Sequence, residues 1–184
     1  MAFSVLKHLA DLQRQIASVE PRRRLAFALW CSEPLLDSAL VFLAEHLGDT
    51  QVQLVRDVLD SMWKHVEEGT GLDLERVARL RESLQRVDWD DSDVGDEEQV
   101  LEDAAVQAIE AIIRACEVAE TGDPIAAAGA SERVINHIDY ELGMEGVRDP
   151  LSDPRMKREL AMQGQMIESL RHPGPVRRVS RSLT

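Results

Sequence analysis

Strand signals are almost absent from this sequence. No window combines sustained apolar–polar alternation with β-branched enrichment and hairpin turn chemistry, which excludes a sheet as the organising element. Aromatic residues are equally scarce, at 4%, so Leu, Ala and Val must fill any core, as suits helix packing. Cysteine occurs twice, at Cys31 and Cys116, far apart and each inside an apolar stretch. A disulfide framework or a zinc site needs more ligands at tighter spacing. Both thiols therefore read as small buried hydrophobes in a reducing compartment.

Positive charge is also in deficit. Lys plus Arg number 21 against 34 Asp plus Glu, a formal charge of −13. A field of that sign repels phosphates and anionic lipid, so nucleic acid and membrane surfaces are not expected partners, whereas a basic protein is. Charged or His residues interrupt the long apolar stretches, and no membrane span is expected. Residues 1–10 lack the apolar run and small-residue cleavage site of a signal peptide, which makes the cytoplasm the expected location.

What the sequence has in abundance is helical periodicity. From Thr50, a candidate N-cap, to Gly69, apolar residues recur at Val52, Val55, Val58, Leu59, Met62, Trp63 and Val66. Steps of three and four place them on one face, with Gln53, Arg56, Asp57, Asp60 and Lys64 elsewhere. Asp60 and Lys64 are four apart, in the favourable order for a surface ion pair. Phe3 to Ala17 reads as a first amphipathic helix, Pro21 opens a second through Cys31, and Pro34 opens a third that stops at Gly48. Leu74 to Val87, Glu97 to Glu120, a segment from Pro124, and Met156 to Leu170 complete the set. A chain of 184 residues suits one domain. The expectation is an all-α, single-domain helical bundle of about seven or eight helices, with short loops joining mostly antiparallel neighbours.

Two stretches depart from that pattern. The connector from Asp88 to Glu98 is acidic, and nothing basic occurs between Asp88 and Asp103. The chain after His172 holds Pro173, Gly174, Pro175, Arg177, Arg178 and Arg181. The expected division is a helical domain over 1–172 and a basic tail over 173–184. That tail has too little apolar surface to offset its ordering entropy and is expected to be disordered in isolation.

Few motifs carry chemistry. In the connector, Asp91, Asp93 and Glu102 match the first, third and twelfth positions of an EF-hand loop. Gly95 and Asp96 then fall where a ligand and the turn glycine belong, so the motif fails. The acids Asp96, Glu97 and Glu98 suit the positive end of the following helix, with Asp93 or Asp96 as its cap. The histidines His8, His46, His65, His137 and His172 form no helix-borne metal pair, although His137 and Glu141 share a face. No phosphate-binding glycine loop, nucleophile elbow or activated cysteine is present. Arg22, Arg23 and Arg24 open a helix, where cations face the positive dipole end, so acidic groups elsewhere are expected to offset them. The run Ile125 to Ala130 is small enough for close helix approach, either inside the chain or as a homodimer seam.

Several spaced residues resemble the bacterial YjaG-like family, a domain of unknown function. Arg24, Phe27, Ala28, Cys31, Glu33 and Pro34 look like its first motif. Arg56, Leu59, Asp60 and Trp63 match its Arg-x-x-Leu-Asp-x-x-Trp helix, the most specific part. Asp90 and Asp91 leading to Ala105, Ala108, Ile109 and Ala111 are similar to its paired-acid stretch and Ala-rich helix. The similarity spans residues 20–170. The chain departs from the pattern in lacking an Arg after Glu33 and in its extra connector acids. The resemblance implies an all-helical, cytosolic bacterial protein and lends no catalytic residue.

Function is then expected to lie in binding rather than catalysis, through a protein partner or self-association as a homodimer. One concrete form is an immunity-type acidic inhibitor of a basic toxin or nuclease. The candidate binding residues are Asp90, Asp91, Asp93, Asp96, Glu97 and Glu98; no cofactor or metal is expected. The alternative is an enzyme or metal-binding protein that uses the connector carboxylates.

Overall fold

The computed structural model describes residues 2–87, 96–179, 181 and 183. Among them are eight α-helices and no strand: α1 (Ala2–Ala17), α2 (Pro21–Ser32), α3 (Leu36–Leu47), α4 (Asp49–Glu68), α5 (Leu74–Leu84), α6 (Asp96–Thr121), α7 (Pro124–Met144) and α8 (Pro154–Arg171). The expected all-α bundle is the observed class.

The helix ends follow local chemistry. Asp73, Asp123 and Asp153 cap α5, α7 and α8 by accepting the backbone N–H of Arg76, Ile125 and Arg155, groups that have no intrahelical partner. The Arg155 N–H is also the main reason the Asp153 carboxyl sits below its usual range. Two ends differ from expectation. Helix α4 starts at Asp49, so Thr50 lies inside it and Gly48 occupies the cap position without a side-chain bond. Pro34 starts no new helix; it lies in a 3-10 turn, Glu33–Leu35, that joins α2 to α3. Proline is tolerated there because a first-turn N–H would be unpaired in any case.

The resulting rod Pro21–Leu47 is, by length and composition alone, apolar enough to cross a membrane, although none was expected. Most of it is buried inside the fold. Every residue of α2 from Leu25 to Ser32 is buried, because helices cover it on all sides: α2 packs against α4, α6, α7 and α8. An apolar circumference is what such a position demands.

Around α2, helices α6 and α7 form a hairpin through the tight link at Gly122 and Asp123, and all three pack on one another. The small residues Ala126, Ala127, Ala128 and Ala130 are buried here within the chain, so the small-residue run is used for internal packing. One apolar cluster extends from Leu12 to Val176.

Of the acidic partners expected for the triple arginine, Glu20 lies 3.9 Å from Arg23 Nε, and backbone carbonyls supply the other partners of Arg23 and Arg24. Arg24 donates to the carbonyls of Ala17, Val19 and Gly122, at the ends of α1 and α6. Arg23 donates to those of Leu170, His172 and Gly174, in the last turn of α8 and just beyond it. Arg22 lies against Gly69 at the end of α4, where an added Cβ would stand 2.8 Å from its Nη1. Gly69 also has φ of 73°, a left-handed conformation that favours glycine. Arg23 and Arg24 thus serve the negative ends of other helices, which offsets their unfavourable place at the start of α2.

Candidate binding groove

The arginines of the tail lead to the site. Arg23 fixes the carbonyls of Leu170, His172 and Gly174, and Val176 then enters the apolar cluster. Two residues on, the Arg178 backbone N–H donates to Glu67 at 2.6 Å. Its guanidinium donates through Nε to Glu33 at 2.8 Å and through Nη1 to Asp60 at 2.6 Å. Burial alone would lower this group's pKa, but the bond to Asp60 and the charge and bond of Glu33 prevail and raise it. The described residues of the tail lie against α2, α4 and α8.

Arg181 goes deeper. Its guanidinium carbon lies 3.8 Å from the centre of a Trp30 ring, a cation–π stack of the kind arginine favours. Its Nη2 donates to Glu159. The Arg181 side chain is 5% exposed and that of Glu159 1%. Unlike the surface pairs, this contact is out of water. Its Nε and Nη1 are buried with no acceptor.

The receiving side is built by helices. Gln163 Nε2 donates to the second Glu159 oxygen at 2.7 Å and to the Ser131 carbonyl at 3.3 Å, and His8 Nε2 lies 3.3 Å from Gln163 Oε1. Glu159 and Gln163 are one turn apart on α8, so the glutamine fixes the carboxylate from the same helix face. Glu33 is likewise held, accepting from Trp63 Nε1 at 2.9 Å. Cys31 lies within reach of the same charges. Burial pushes its thiol far above the usual range, with Arg181 pulling it down and Glu159 pushing it up by smaller amounts.

Residues that the sequence set apart in two motifs therefore converge here. Cys31 and Glu33 come from the first, and Asp60 and Trp63 from the second. Asp60, expected to pair with Lys64, faces Arg178 instead. No sequence signal marked Glu159 or Gln163, since isolated polar residues on a helix usually face solvent.

The residues proposed from sequence fall elsewhere. Asp90, Asp91 and Asp93 lie outside the described residues; Asp96, Glu97 and Glu98 form the start of α6. His137 is buried between Asp103, 2.8 Å from Nδ1, and Glu141, 3.4 Å from Nε2, a satisfied core histidine. Among the described residues no group of three or more His, Cys, Asp or Glu is placed to hold a metal ion. A second concavity of about 470 Å³ lies between α3 and α6, with Val41 and Leu101 exposed at its walls.

No protein-family model matches the chain, and comparison with curated proteins and with solved structures finds no match either, so the groove is read from its own chemistry.

Proposed function

We propose that this protein is a non-catalytic interaction module that takes a basic, arginine-bearing protein partner on its acidic surface. The observation that carries the reading is the capture of Arg178 by Glu33, Asp60 and Glu67. Three carboxylates from two parts of the chain meet one extended basic segment, and the net charge of −13 would steer such a partner in from a distance. An acidic inhibitor of a basic toxin or nuclease is the concrete form this takes. A cytosolic, bacterial setting and kinship with the YjaG-like family belong to the same proposal, supported by the motif residues that meet in the groove.

The test is capture of partners from the native cell by the tagged full chain at low and moderate salt. Wild type is compared with Glu33→Gln/Asp60→Asn and with Asp90→Asn/Asp91→Asn/Asp93→Asn. The reading expects a basic protein that is lost with salt and with at least one acidic set. Recovery of the same proteins by all three chains at both salts, or of none, overturns it.

A further inference from the structure

The buried end of the groove calls for an explanation that stability does not supply. A carboxylate 1% exposed loses most of its hydration, and an ion pair at such depth is often no more stabilising than apolar side chains of equal volume. What the arrangement does provide is selectivity. Trp30 offers a flat aromatic face and Glu159 a fixed acceptor, at a spacing that one guanidinium fills. A lysine ammonium has neither the plane to stack nor the fork to reach the acceptor from that position.

The occupant is less well fitted than its receptor. Glu159 is held by Gln163, which is itself tied to Ser131 and His8, all without help from the tail. On the tail side, Arg181 Nε and Nη1 are buried without acceptors, a cost that its other contacts must offset. The Arg178 side chain is 36% exposed and Asp60 68%, so that pair is weakened by water and salt. Among the described tail residues beyond the Arg23 clamp, only Val176 and Leu183 join the apolar cluster. A preorganised receptor thus holds a weakly fitted ligand that is kept in place by being part of the same chain.

We infer that the groove is a receptor for an extended Arg-x-x-Arg segment of another protein, and that Arg178 and Arg181 occupy it as an internal substitute. The first arginine of the incoming segment takes Glu33 and Asp60; the second stacks on Trp30 and pairs with Glu159. The tail competes at the high effective concentration of a tethered ligand, so the partner must bind well enough to displace it. This deepens the reading above and rests on it: the partner's basic character becomes two arginines three residues apart.

The experiment uses the full chain and a labelled synthetic peptide with the sequence of residues 173–184, followed by fluorescence anisotropy. In Arg178→Ala/Arg181→Ala the groove is open, and the peptide should bind about tenfold or more tighter than it binds wild type, where the tethered tail competes. Adding Glu159→Gln to that chain, or replacing both peptide arginines by lysine, should weaken binding about tenfold. Absence of binding to an open chain that keeps its helical circular dichroism and cooperative melt overturns the inference, as does equal binding of the lysine peptide. If the double variant does not fold, wild type decides. Excess peptide should speed hydrogen exchange at the Arg178 amide, which donates to Glu67, and unchanged exchange overturns the inference. Light scattering that finds a dimer lost in the double variant also overturns it, assigning the groove to the tail of a second copy. The two readings fail separately. A captured partner that excess peptide cannot displace breaks this inference alone, whereas peptide binding with no partner in the cell breaks only the broader one.

Discussion

The hairpin of α6 and α7 and the groove under the tail both bury side chains almost completely, yet by opposite means. At Ala108, Ala111, Ala127 and Ala130 of the hairpin, all fully buried, contact depends on volume alone. In the groove, Glu159, Gln163 and Arg181 are buried as polar groups, each dependent on a particular partner. Apolar packing tolerates no gap but asks little of direction, whereas buried polar groups demand matched donors and acceptors. The lesson is that one kind of contact sets distance between helices, whereas the other sets partner and direction as well.

The largest expected effect lies where the two regions touch. Trp63 is 2% exposed in the core, and its Nε1 donates to Glu33 in the groove. Trp63→Ala should cost about 3–5 kcal/mol, read as a lower denaturation midpoint. Trp63→Phe, which keeps most of the volume and loses the donor, should cost about 0.5–1.5 kcal/mol. Equal losses for the two would mean that the groove carries the stability attributed to the core.

Next comes an overpacking test of the hairpin. Ala108→Leu forces extra volume into a site with no exposure and should cost about 1–3 kcal/mol in urea unfolding, with peptide binding in the open-groove background unchanged.

Glu159→Gln should cost less, near 1 kcal/mol rather than the 3–5 kcal/mol of a broken buried pair, because Arg181 belongs to a segment with few apolar contacts, which can lift into water. A loss at the upper figure would show that the tail cannot leave. The cap variant Asp123→Ala is expected to be similar, about 1 kcal/mol, and confined to α7.

The smallest effect is chemical. Burial pushes the Cys116 thiol up to about 12, with Glu120 adding to it and Arg81 opposing, and it pushes Cys31 up as well. Neither should react with a thiol reagent at neutral pH. Arg178→Ala/Arg181→Ala should speed labelling of Cys31 while leaving Cys116 unchanged; equal labelling of both would mean general loosening. The sign for pH follows from the same shifts. A folded pKa above the unfolded value of 9.0 means that the native state holds its proton more tightly. The Cys116 contribution is therefore whole below pH 9 and lost as pH rises toward about 12.

Much of the fold was legible because helix periodicity is a local property. The face of Val55, Leu59, Met62 and Trp63 is buried as its spacing implied, since any cover on that side of α4 hides all four. The misread charges share one cause, a long-range partner. Asp60 was given Lys64, four residues away, and found Arg178, 118 residues away. The arginines of α2 were given acidic partners, and Arg23 has one in Glu20, but Arg23 and Arg24 also found the carbonyl ends of other helices. The contacts of the tail could not be read from its own composition, because they are made with groups on helices it does not adjoin in sequence.

By itself, then, the sequence determined that this chain is helical, where most of its helices run, and that its charge is strongly negative. Only the tertiary structure decided that Glu33 and Trp63 face each other, that Glu159 lies in the interior, and that two tail arginines reach Glu33, Asp60 and Glu159. The physical reason is range. Hydrogen bonding along a helix and the spacing of its apolar face are set within a few residues. The worth of a charge is set by its dielectric surroundings and its partner, and both come from whatever distant helix the packing brings alongside.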